Sequence, residues 1–498
     1  MNRYNLVCII YCSFGAFFYG YDSGLTTSII GYPEFIEYFK FNHTTLGGLG
    51  SAYYAGNFVG SLSNMYLPDR FGRVQVIRYA SIASIIGAGM QTGAQSLGVL
   101  LAGRAIGGIA CGIIVSLCPL FATELSPPHV RGRVGGLYSF NVNFAFAVTE
   151  WMGLGFSYIR GDTKWRIFLG LQLLCALIMI VGSFWMPQSP RWLVMKGRHD
   201  EALAVLEKLH GSHDPTGQDD EVPFYRREFY QIEAQIRIER EAPQLGLVAI
   251  LKKASYRRRV GLVMFYFFFQ QLTAIIPLQN YQVILYRSLG VTGKLALILI
   301  GVWGTVGVIF STIGASLFDK LGRRVSFFIS MTVVLIASIM LVIFWARYEN
   351  GGSTNKTLGA LALWSMFLFL TGYAWILNSF GFAYTPEIMP TEIRATGVAI
   401  GYATVNSAMI MLVQVTPIAI AAISWRFFLI FIFTDAIFIL GVYLWFPETA
   451  NVPLEEVAAL FGDAVAVTLD EAKELDAKIQ LEEARAGTVT HVEERPSK

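Results

Sequence analysis

The chain has 498 residues, 54% of them hydrophobic and only 15% charged, and its mean hydropathy is +0.51. A soluble domain carries about a quarter charged residues, so this composition excludes an ordinary soluble protein. The formal net charge of +3 is too small to indicate a nucleic-acid partner. The apolar residues form continuous runs and do not alternate with polar ones, which argues against a β-barrel.

Twelve apolar runs approach the roughly 20 residues that a helix needs to cross a bilayer. The predicted spans cover residues 5–26, 45–67, 75–94, 99–122, 132–157, 165–186, 260–287, 294–317, 325–346, 358–384, 396–421 and 426–446. They predict an all-α membrane protein with twelve transmembrane helices in two six-helix bundles.

The polar stretches divide this membrane body. Residues 1–190 are expected to form an N-terminal bundle and residues 260–450 a C-terminal bundle. The charged stretch 191–259 between them predicts a cytoplasmic linker with short amphipathic helices. Residues 451–498 follow as a cytoplasmic tail.

Basic residues such as Arg70, Arg73 and Arg323 cluster on one side of the predicted spans. The positive-inside rule makes that side cytoplasmic, together with both termini. Two glycosylation sequons, beginning at Asn42 and Asn355, then fall in outside loops. All five cysteines lie in predicted spans, and no metal-ligand spacing occurs, so neither a disulfide framework nor a metal or other cofactor is expected.

Four short motifs occur twice in the same order, about 250–263 residues apart. The pairs are Asp69–Arg73 with Asp319–Arg324, Glu124–Arg131 with Glu387–Arg394, Trp165–Leu169 with Trp425–Leu429, and Pro187–Ser189 with Pro447–Thr449. Such a repeat indicates two related halves of one membrane fold. Two halves that rock around a central site are typical of secondary transporters.

From Gly20 to Phe461, these motifs resemble those of the sugar porters of the major facilitator superfamily, and fungal members most of all. Further pieces of the pattern are Gly20-Tyr21-Asp22, Gly103-Arg104, Pro187-Gln188-Ser189-Pro190-Arg191, Gln270-Gln271-Leu272-Thr273 and Leu454-Glu455-Glu456. The resemblance implies the major facilitator fold, a sugar and protons as partners, no cofactor, and a monomer in the plasma membrane.

Asp22 is the acid that bears most on mechanism, because it lies in an otherwise uncharged span. A charge near the bilayer centre costs about 2.5–3.5 kcal/mol on insertion scales. Arg104 in the fourth predicted span is its natural partner, and the resemblance implies that the two form a proton-coupling site. The structural alternative is a static ion pair.

The acids and bases of the repeated loops predict a cytoplasmic gate at the ends of the two bundles. Its expected members are Asp69, Arg73, Glu124 and Arg131 in the first half, and Asp319, Arg323, Glu387 and Arg394 in the second. These ion pairs would latch the halves in the outward-facing state and separate in the inward-facing state. The alternative is that the loop charges only fix topology.

The resemblance also implies a sugar site. The side chains expected to line it are Tyr19, Asn141, Gln270, Gln271, Tyr281 and Phe382. Amides suit bidentate hydrogen bonds to hydroxyls, although helix–helix hydrogen bonding is the structural alternative for the glutamines. Ile276 and Gly307 stand where the family pattern has asparagine, and Ser139 where it has glutamine. A less polar cavity follows, which puts ordinary glucose selectivity in question.

Two further acids, Glu150 and Asp435, fall inside predicted spans but outside the family pattern. Either could bind substrate or sit protonated against a neighbouring helix. The last span is peripheral in this family, which favours the structural role for Asp435. For Glu150 both roles stay open.

We therefore predict proton-coupled symport of a monosaccharide or related polyol by alternating access. An enzyme is not expected, because the spans hold no nucleophile–histidine pair and the chain has no phosphate loop. One alternative is a proton-driven exporter of a less polar metabolite on the same scaffold, which the missing amides favour. The other is a non-transporting sugar sensor, which the tail of about 50 residues argues against.

Overall fold

A computed structural model describes residues 3–127, 131–211, 223–241, 252–390, 393–448 and 460–461. Throughout these ranges the regular structure is helical. We call the side on which the first helix begins the near face and the opposite side the far face. Predicted tail residues other than 460 and 461 lie outside the described part of the chain.

The N-terminal half is an array of long helices joined by short connections. Its helices are α1 (Arg3–Ile29), α2 (Pro33–Tyr38), α3 (His43–Ser63), α4 (Leu67–Phe71), α5 (Arg73–Thr92), α6 (Leu97–Leu125), α7 (Arg131–Phe156) and α8 (Thr163–Gly182). The long helices coincide with the first six predicted spans. Close packing of α3 on α6 depends on glycine, since a Cβ at Gly108 or Gly112 would meet the α3 backbone within about 3 Å.

The polar insert contains the short helices expected there. They are α9 (Pro190–Met195), α10 (His199–His210) and α11 (Phe224–Glu241). Trp192, Leu206 and Phe229 form a small apolar cluster between them. His210 fixes this unit to the near end of α6, because Nδ1 lies 2.6 Å from Glu228 and Nε2 lies 3.2 Å from the Leu125 carbonyl oxygen. The domain limits themselves stay a prediction.

The C-terminal half repeats the pattern with more interruptions. Its helices are α12 (Ala254–Gln271), α13 (Ile275–Asn280), α14 (Gln282–Ser288), α15 (Lys294–Leu321), α16 (Arg323–Asn350), α17 (Lys356–Gly372), α18 (Asn378–Ile388), α19 (Arg394–Ile423) and α20 (Phe427–Trp445). A π-helical turn, Tyr373–Leu377, joins α17 to α18.

The seventh predicted span is broken, where the sequence suggested one helix. Ala274 has a left-handed backbone with φ of +70°, so α12 cannot continue past it. Thr273 donates to the Gln270 carbonyl oxygen at 2.8 Å and satisfies part of the helix end. Pro277 lies in the first turn of α13, where its missing N–H is tolerated. Broken helices at membrane depth are typical of transporter binding sites.

Within the described part of the chain, seven helical segments are long and apolar enough by themselves to cross a membrane. The remaining long helices, α3, α5, α7 and α12, contain enough polar or charged residues to fall below that threshold. Each of the twelve predicted spans coincides with one long helix or a run of consecutive helical segments. The helices are thus consistent with twelve passes.

The two halves meet close to the far face. Ser51 of α3 donates to Gln414 Oε1 of α19 at 2.7 Å, and Gln414 Nε2 donates to the Thr44 carbonyl oxygen at 3.0 Å. On α1, Thr27 donates to the Gln279 carbonyl oxygen at 3.0 Å. Opposite them, the Trp151 indole of α7 donates to Thr305 of α15 at 2.9 Å. These contacts close the protein at the far face.

Candidate transport site

Asp22 and Arg104 form a buried ion pair between α1 and α6. Arg104 Nη1 donates to Asp22 Oδ1 at 3.1 Å, and the two residues are 2–4% exposed. The Cys111 thiol lies 3.2 Å from the other carboxylate oxygen, Oδ2, and donates to it. Cys111 follows Arg104 by seven positions, which is two helical turns, so α6 presents both side chains on one face.

Arg104 has other partners besides the carboxylate. Its Nη2 donates to Thr26 Oγ1 at 2.6 Å, and the guanidinium carbon lies 4.4 Å from the centroid of the Tyr53 ring. A cation over an aromatic face gains about 0.5–2 kcal/mol, more as water is excluded. The Tyr53 hydroxyl is held in turn by Ser23 at 2.9 Å. The cation therefore keeps two partners if Asp22 takes up a proton.

The predicted glutamines lie together at the interrupted part of the C-terminal half. Gln270 Nε2 donates to the Leu377 carbonyl oxygen at 2.7 Å, at the end of the π-helical turn. Gln271 Nε2 donates to Gln270 Oε1 at 3.3 Å, which leaves the buried Gln271 Oε1 without a hydrogen-bond partner. A buried acceptor with no partner costs about 1–3 kcal/mol, so this oxygen is suited to accept from a bound hydroxyl.

The other expected lining residues are distributed over both halves. Tyr281 donates to the Val413 carbonyl oxygen at 2.7 Å and so ties the broken span to α19. Tyr19 of α1 and Asn141 of α7 are partly buried in the N-terminal half. Phe382 belongs to α18, and its side chain lies outside the described part of the structure.

Sequence reasoning missed Gln282. It is 1% exposed at the start of α14, and neither amide atom has a hydrogen-bond partner among the described residues. An amide one residue after the expected lining residue Tyr281 was the signal that could have drawn attention to it. Thr26, Tyr53 and Cys111 were missed as well, although helical spacing from Asp22 and Arg104 places Thr26 and Cys111 on the same faces.

At the near face, Arg73 joins both expected acids of the first half. It contacts Glu124 through two nitrogens, at 2.8 and 3.0 Å, and Asp69 at 3.1 Å. The Arg73 and Glu124 side chains are 5% and 7% exposed, whereas Asp69 is 59% exposed. The Arg131 side chain lies outside the described residues.

In the second half, the structure brings Glu448 to Arg323 and Arg324. Its carboxylate oxygens accept from the backbone N–H groups of these residues at 3.0 and 2.8 Å, so Glu448 caps the start of α16. An anion at a helix N-terminus is favourable because the orphan N–H groups point at it. The side chains of Asp319, Glu387 and Arg394 lie outside the described part of the chain.

The corresponding loop of the first half has the same backbone conformation but carries a glutamine where the second half has the acid Glu448. Gly72 and Gly322 have nearly the same conformation, with φ of +88° and +84°, which only glycine adopts readily. Gln188 lies next to Gly72, at the position that corresponds to Glu448 beside Gly322 in the second half. Its Oε1 is buried without a partner. The two loops are thus structural repeats that differ in one cap.

Both sequon asparagines lie at the far face as helix caps. Asn42 accepts from the Thr45 N–H at 2.8 Å, and Asn355 accepts from the Thr357 N–H at 3.0 Å. Both side chains are exposed. In each case the cap uses the side-chain oxygen and not the amide nitrogen, which is the atom that would carry a glycan.

Residues 7–461 match the model of the sugar (and other) transporter family. The chain belongs to this family. The family model and the relatives below are transporters, so the expectation that the chain is not an enzyme is confirmed. The family also makes it a multi-pass membrane protein.

Several curated fungal relatives align along most of the chain. It is 30% identical over 462 residues to the MFS-type transporter criB of Aspergillus cristatus, covering 92% of this chain and 93% of that one. It is 28% identical over 480 residues to a high-affinity glucose transporter of Kluyveromyces lactis, covering 93% and 86%. It is 29% identical over 462 residues to the sugar transporter STL1 of Saccharomyces cerevisiae, covering 90% and 79%.

Solved structures confirm the major facilitator fold. The partially occluded inward-open xylose transporter XylE from E. coli superposes with a TM-score of 0.74 at 18% identity, covering 91% of this chain and 100% of that one. The proton:xylose symporter XylE bound to 6-bromo-6-deoxy-D-glucose gives a TM-score of 0.73 at 21% identity, covering 92% and 99%.

Proposed function

We propose that this transporter is a proton-coupled symporter that moves a monosaccharide or related polyol by alternating access. The observation that carries the proposal is the buried Asp22–Arg104 pair, in which Arg104 keeps Thr26 and Tyr53 when the carboxylate is neutralised. A carboxylate with this surrounding can exchange a proton without leaving a buried cation alone. The similarity to a high-affinity glucose transporter supports a sugar as cargo.

The driving force is sufficient for accumulation. One proton crossing 100 mV contributes roughly 2.3 kcal/mol. One unit of pH difference adds about 1.4 kcal/mol. Together they allow roughly 500-fold accumulation of cargo at one proton per cycle.

We assign sugar binding to Gln270 and Gln271. The buried Gln271 Oε1 has no hydrogen-bond partner and can accept from a sugar hydroxyl. The further members of the site are Tyr19, Asn141, Tyr281 and Phe382. In this assignment the far face is closed, and substrate exchanges with the near face. The repeated loop charges form the near-face gate. Arg73 and Glu124 both belong to the N-terminal half and stay paired while the far face is closed. In this gate the pair therefore holds the near end of its own half, and the expected separation occurs at other contacts.

We infer that the near face is cytoplasmic, because the basic loop residues lie there. The termini are then cytoplasmic, and Asn42 and Asn355 face the outside, where glycans can be attached. The plasma membrane is the inferred location and the monomer the inferred unit.

The test is uptake of a panel of labelled sugars and polyols by a host without its own sugar carriers, at pH 5 and pH 7. Wild type is compared with Asp22→Asn, and with Asp435→Asn as the matched control. Asp435 is also a buried acid of a span, but its neighbour is Ser338 at 3.3 Å and not a cation. We expect acid-stimulated, uncoupler-sensitive accumulation that Asp22→Asn abolishes and Asp435→Asn retains. Uptake that equilibrates regardless of pH would reduce Asp22 to a structural ion pair.

A second candidate is export of a less polar metabolite. Ile276, where the family pattern has asparagine, is 2% exposed and brings a branched apolar chain to the broken span. Gly307, at another of the missing asparagines, has open space around the position of a side chain. Failure of every sugar to enter, with the protein shown at the cell surface, would favour this exporter.

A further inference from the structure

Glu150 is an acidic side chain enclosed at the joint between the two halves. It belongs to α7 of the N-terminal half and is 1% exposed. Its Oε2 lies against Gly304 of α15 in the C-terminal half, at the place where any other residue would have its Cβ. A Cβ at Gly304 would also lie 2.7 Å from the Ala147 Cα. The glycine therefore makes room for this carboxyl at the closed far-face joint.

The Glu150 carboxyl has few polar contacts among the described residues. Its Oε2, the oxygen that lies against Gly304, has no hydrogen-bond partner among the described residues. Beside it lies Tyr286 of α14, whose buried hydroxyl likewise has no partner in the described structure. A protonated carboxyl has an O–H donor, which the ionised form lacks.

Within the described part of the chain, no ion pair balances Glu150. The described cations in the far-face half of the surrounding helices are engaged elsewhere. They are Arg104 with Asp22, Lys164 with Glu34, Arg166 with the Thr92 carbonyl oxygen, Arg287 with the Gly31 carbonyl oxygen and Lys294 over the Tyr158 ring. Tyr32, which precedes α2, donates its hydroxyl to the Gly153 carbonyl oxygen of α7.

An ionised carboxylate enclosed without a cation is strongly unfavourable, so the neutral acid is the favoured form in the closed joint. When the halves separate at the far face, the same carboxyl meets water, and the ionised form is again favourable. Closure and proton uptake are then linked at this residue.

We propose that Glu150 is a gating proton site, and that the halves close at the far face when its carboxyl is protonated. The proposal rests on the alternating access of the proposed function. The proton binds to the carboxylate from far-side water before closure and returns to the same water on reopening. It therefore sets the pH dependence of closure without adding to the protons carried with cargo, which Asp22 handles.

The experiment measures the far-face opening of the full-length protein in lipid, without substrate. Nitroxide labels are attached to Glu37→Cys on α2 and Lys356→Cys on α17, two exposed positions on opposite halves. The five native cysteines are buried, so labelling is directed to the introduced ones. Distances between the labels are recorded by pulsed electron resonance from pH 5 to pH 8, in wild type, Glu150→Gln, Asp22→Asn and Trp151→Phe.

We expect the ratio of closed to open protein to fall as pH rises, by up to tenfold per pH unit. Asp22→Asn should retain this dependence, and Glu150→Gln, which mimics the neutral acid, should stay closed at every pH. Trp151→Phe removes the indole hydrogen bond at the same joint but no titrating group. It should open the protein more at all pH values with an unchanged slope.

A slope that persists in Glu150→Gln, or disappears in Asp22→Asn alone, would overturn the proposal. Failure of sugar uptake is a separate result, because this measurement needs no cargo. If the closed-to-open ratio depends on pH through Glu150 in a protein that moves no sugar, the gating site stands and only the proposed substrate is wrong.

Discussion

Replacing Arg73 by alanine should harm transport far more than removing its exposed partner. Arg73 contacts Glu124 through two nitrogens, at 2.8 and 3.0 Å, and both side chains are almost fully buried. Two charges about 4 Å apart interact by about 4 kcal/mol at an effective dielectric constant of 20. Breaking a buried pair by removing one partner costs about 3–5 kcal/mol, because the other charge is left unpaired.

The assay is initial uptake per molecule at the cell surface, together with the thermal midpoint of the purified protein. Arg73→Ala should lower uptake by about tenfold or more while the protein still reaches the membrane, since tenfold corresponds to only about 1.4 kcal/mol. Asp69→Ala should lower uptake by no more than about fivefold, because an exposed ion pair contributes at most about 1 kcal/mol.

The double variant Arg73→Ala/Glu124→Gln distinguishes the cause. It removes the orphaned charge, so both uptake and the thermal midpoint should recover in part relative to Arg73→Ala. If the losses of uptake caused by Arg73→Ala and Glu124→Gln simply multiply in the double variant, or if Arg73→Ala transports normally, Arg73 and Glu124 do not act as a coupled pair at the near face.

Three further predictions follow from single contacts. Gln188→Glu should raise the thermal midpoint, because a carboxylate there can cap α5 as Glu448 caps α16, an effect of about 0.3–1 kcal/mol; an unchanged or lower midpoint would contradict it. The hydrogen bond from Lys164 lowers the pKa of Glu34 below its ordinary value of 4.5, so its stabilisation is present above that pH and lost in stronger acid. Lys164→Met should therefore flatten the stability profile below about pH 4.5. Asn42→Gln should remove any glycan-dependent mobility shift and lower the thermal midpoint by loss of the helix cap, about 0.5–2 kcal/mol.

Much of this architecture can be predicted from the sequence, because hydropathy locates each span and the repeated motifs mark the two halves. Span positions agree with the helices to within a few residues. The reciprocal spacing of acids and bases in the first half led to Arg73 and Glu124, which the structure brings into contact. Asp22 and Arg104 could be paired from the sequence because an isolated charge in a span requires a partner, and the structure joins them in an ion pair.

Features that depend on contacts between distant helices could not be read from the sequence. The left-handed conformation of Ala274 and the π-helical turn before Asn378 depend on the surrounding bundle. Neither could be predicted from the residue types present. Glu150 stayed ambiguous because its environment is made by Gly304 of the other half. Cys111 was passed over because a buried cysteine ordinarily packs as a small apolar residue.

The central claim is that cargo and proton move together through Asp22. The most direct test places the purified protein in vesicles that contain a pH-sensitive dye and applies an inward gradient of a transported sugar as the sole driving force. We expect acidification of the vesicle interior in step with sugar entry, abolished by an uncoupler and absent in Asp22→Asn. Sugar entry by the wild-type protein with no change of internal pH would contradict it.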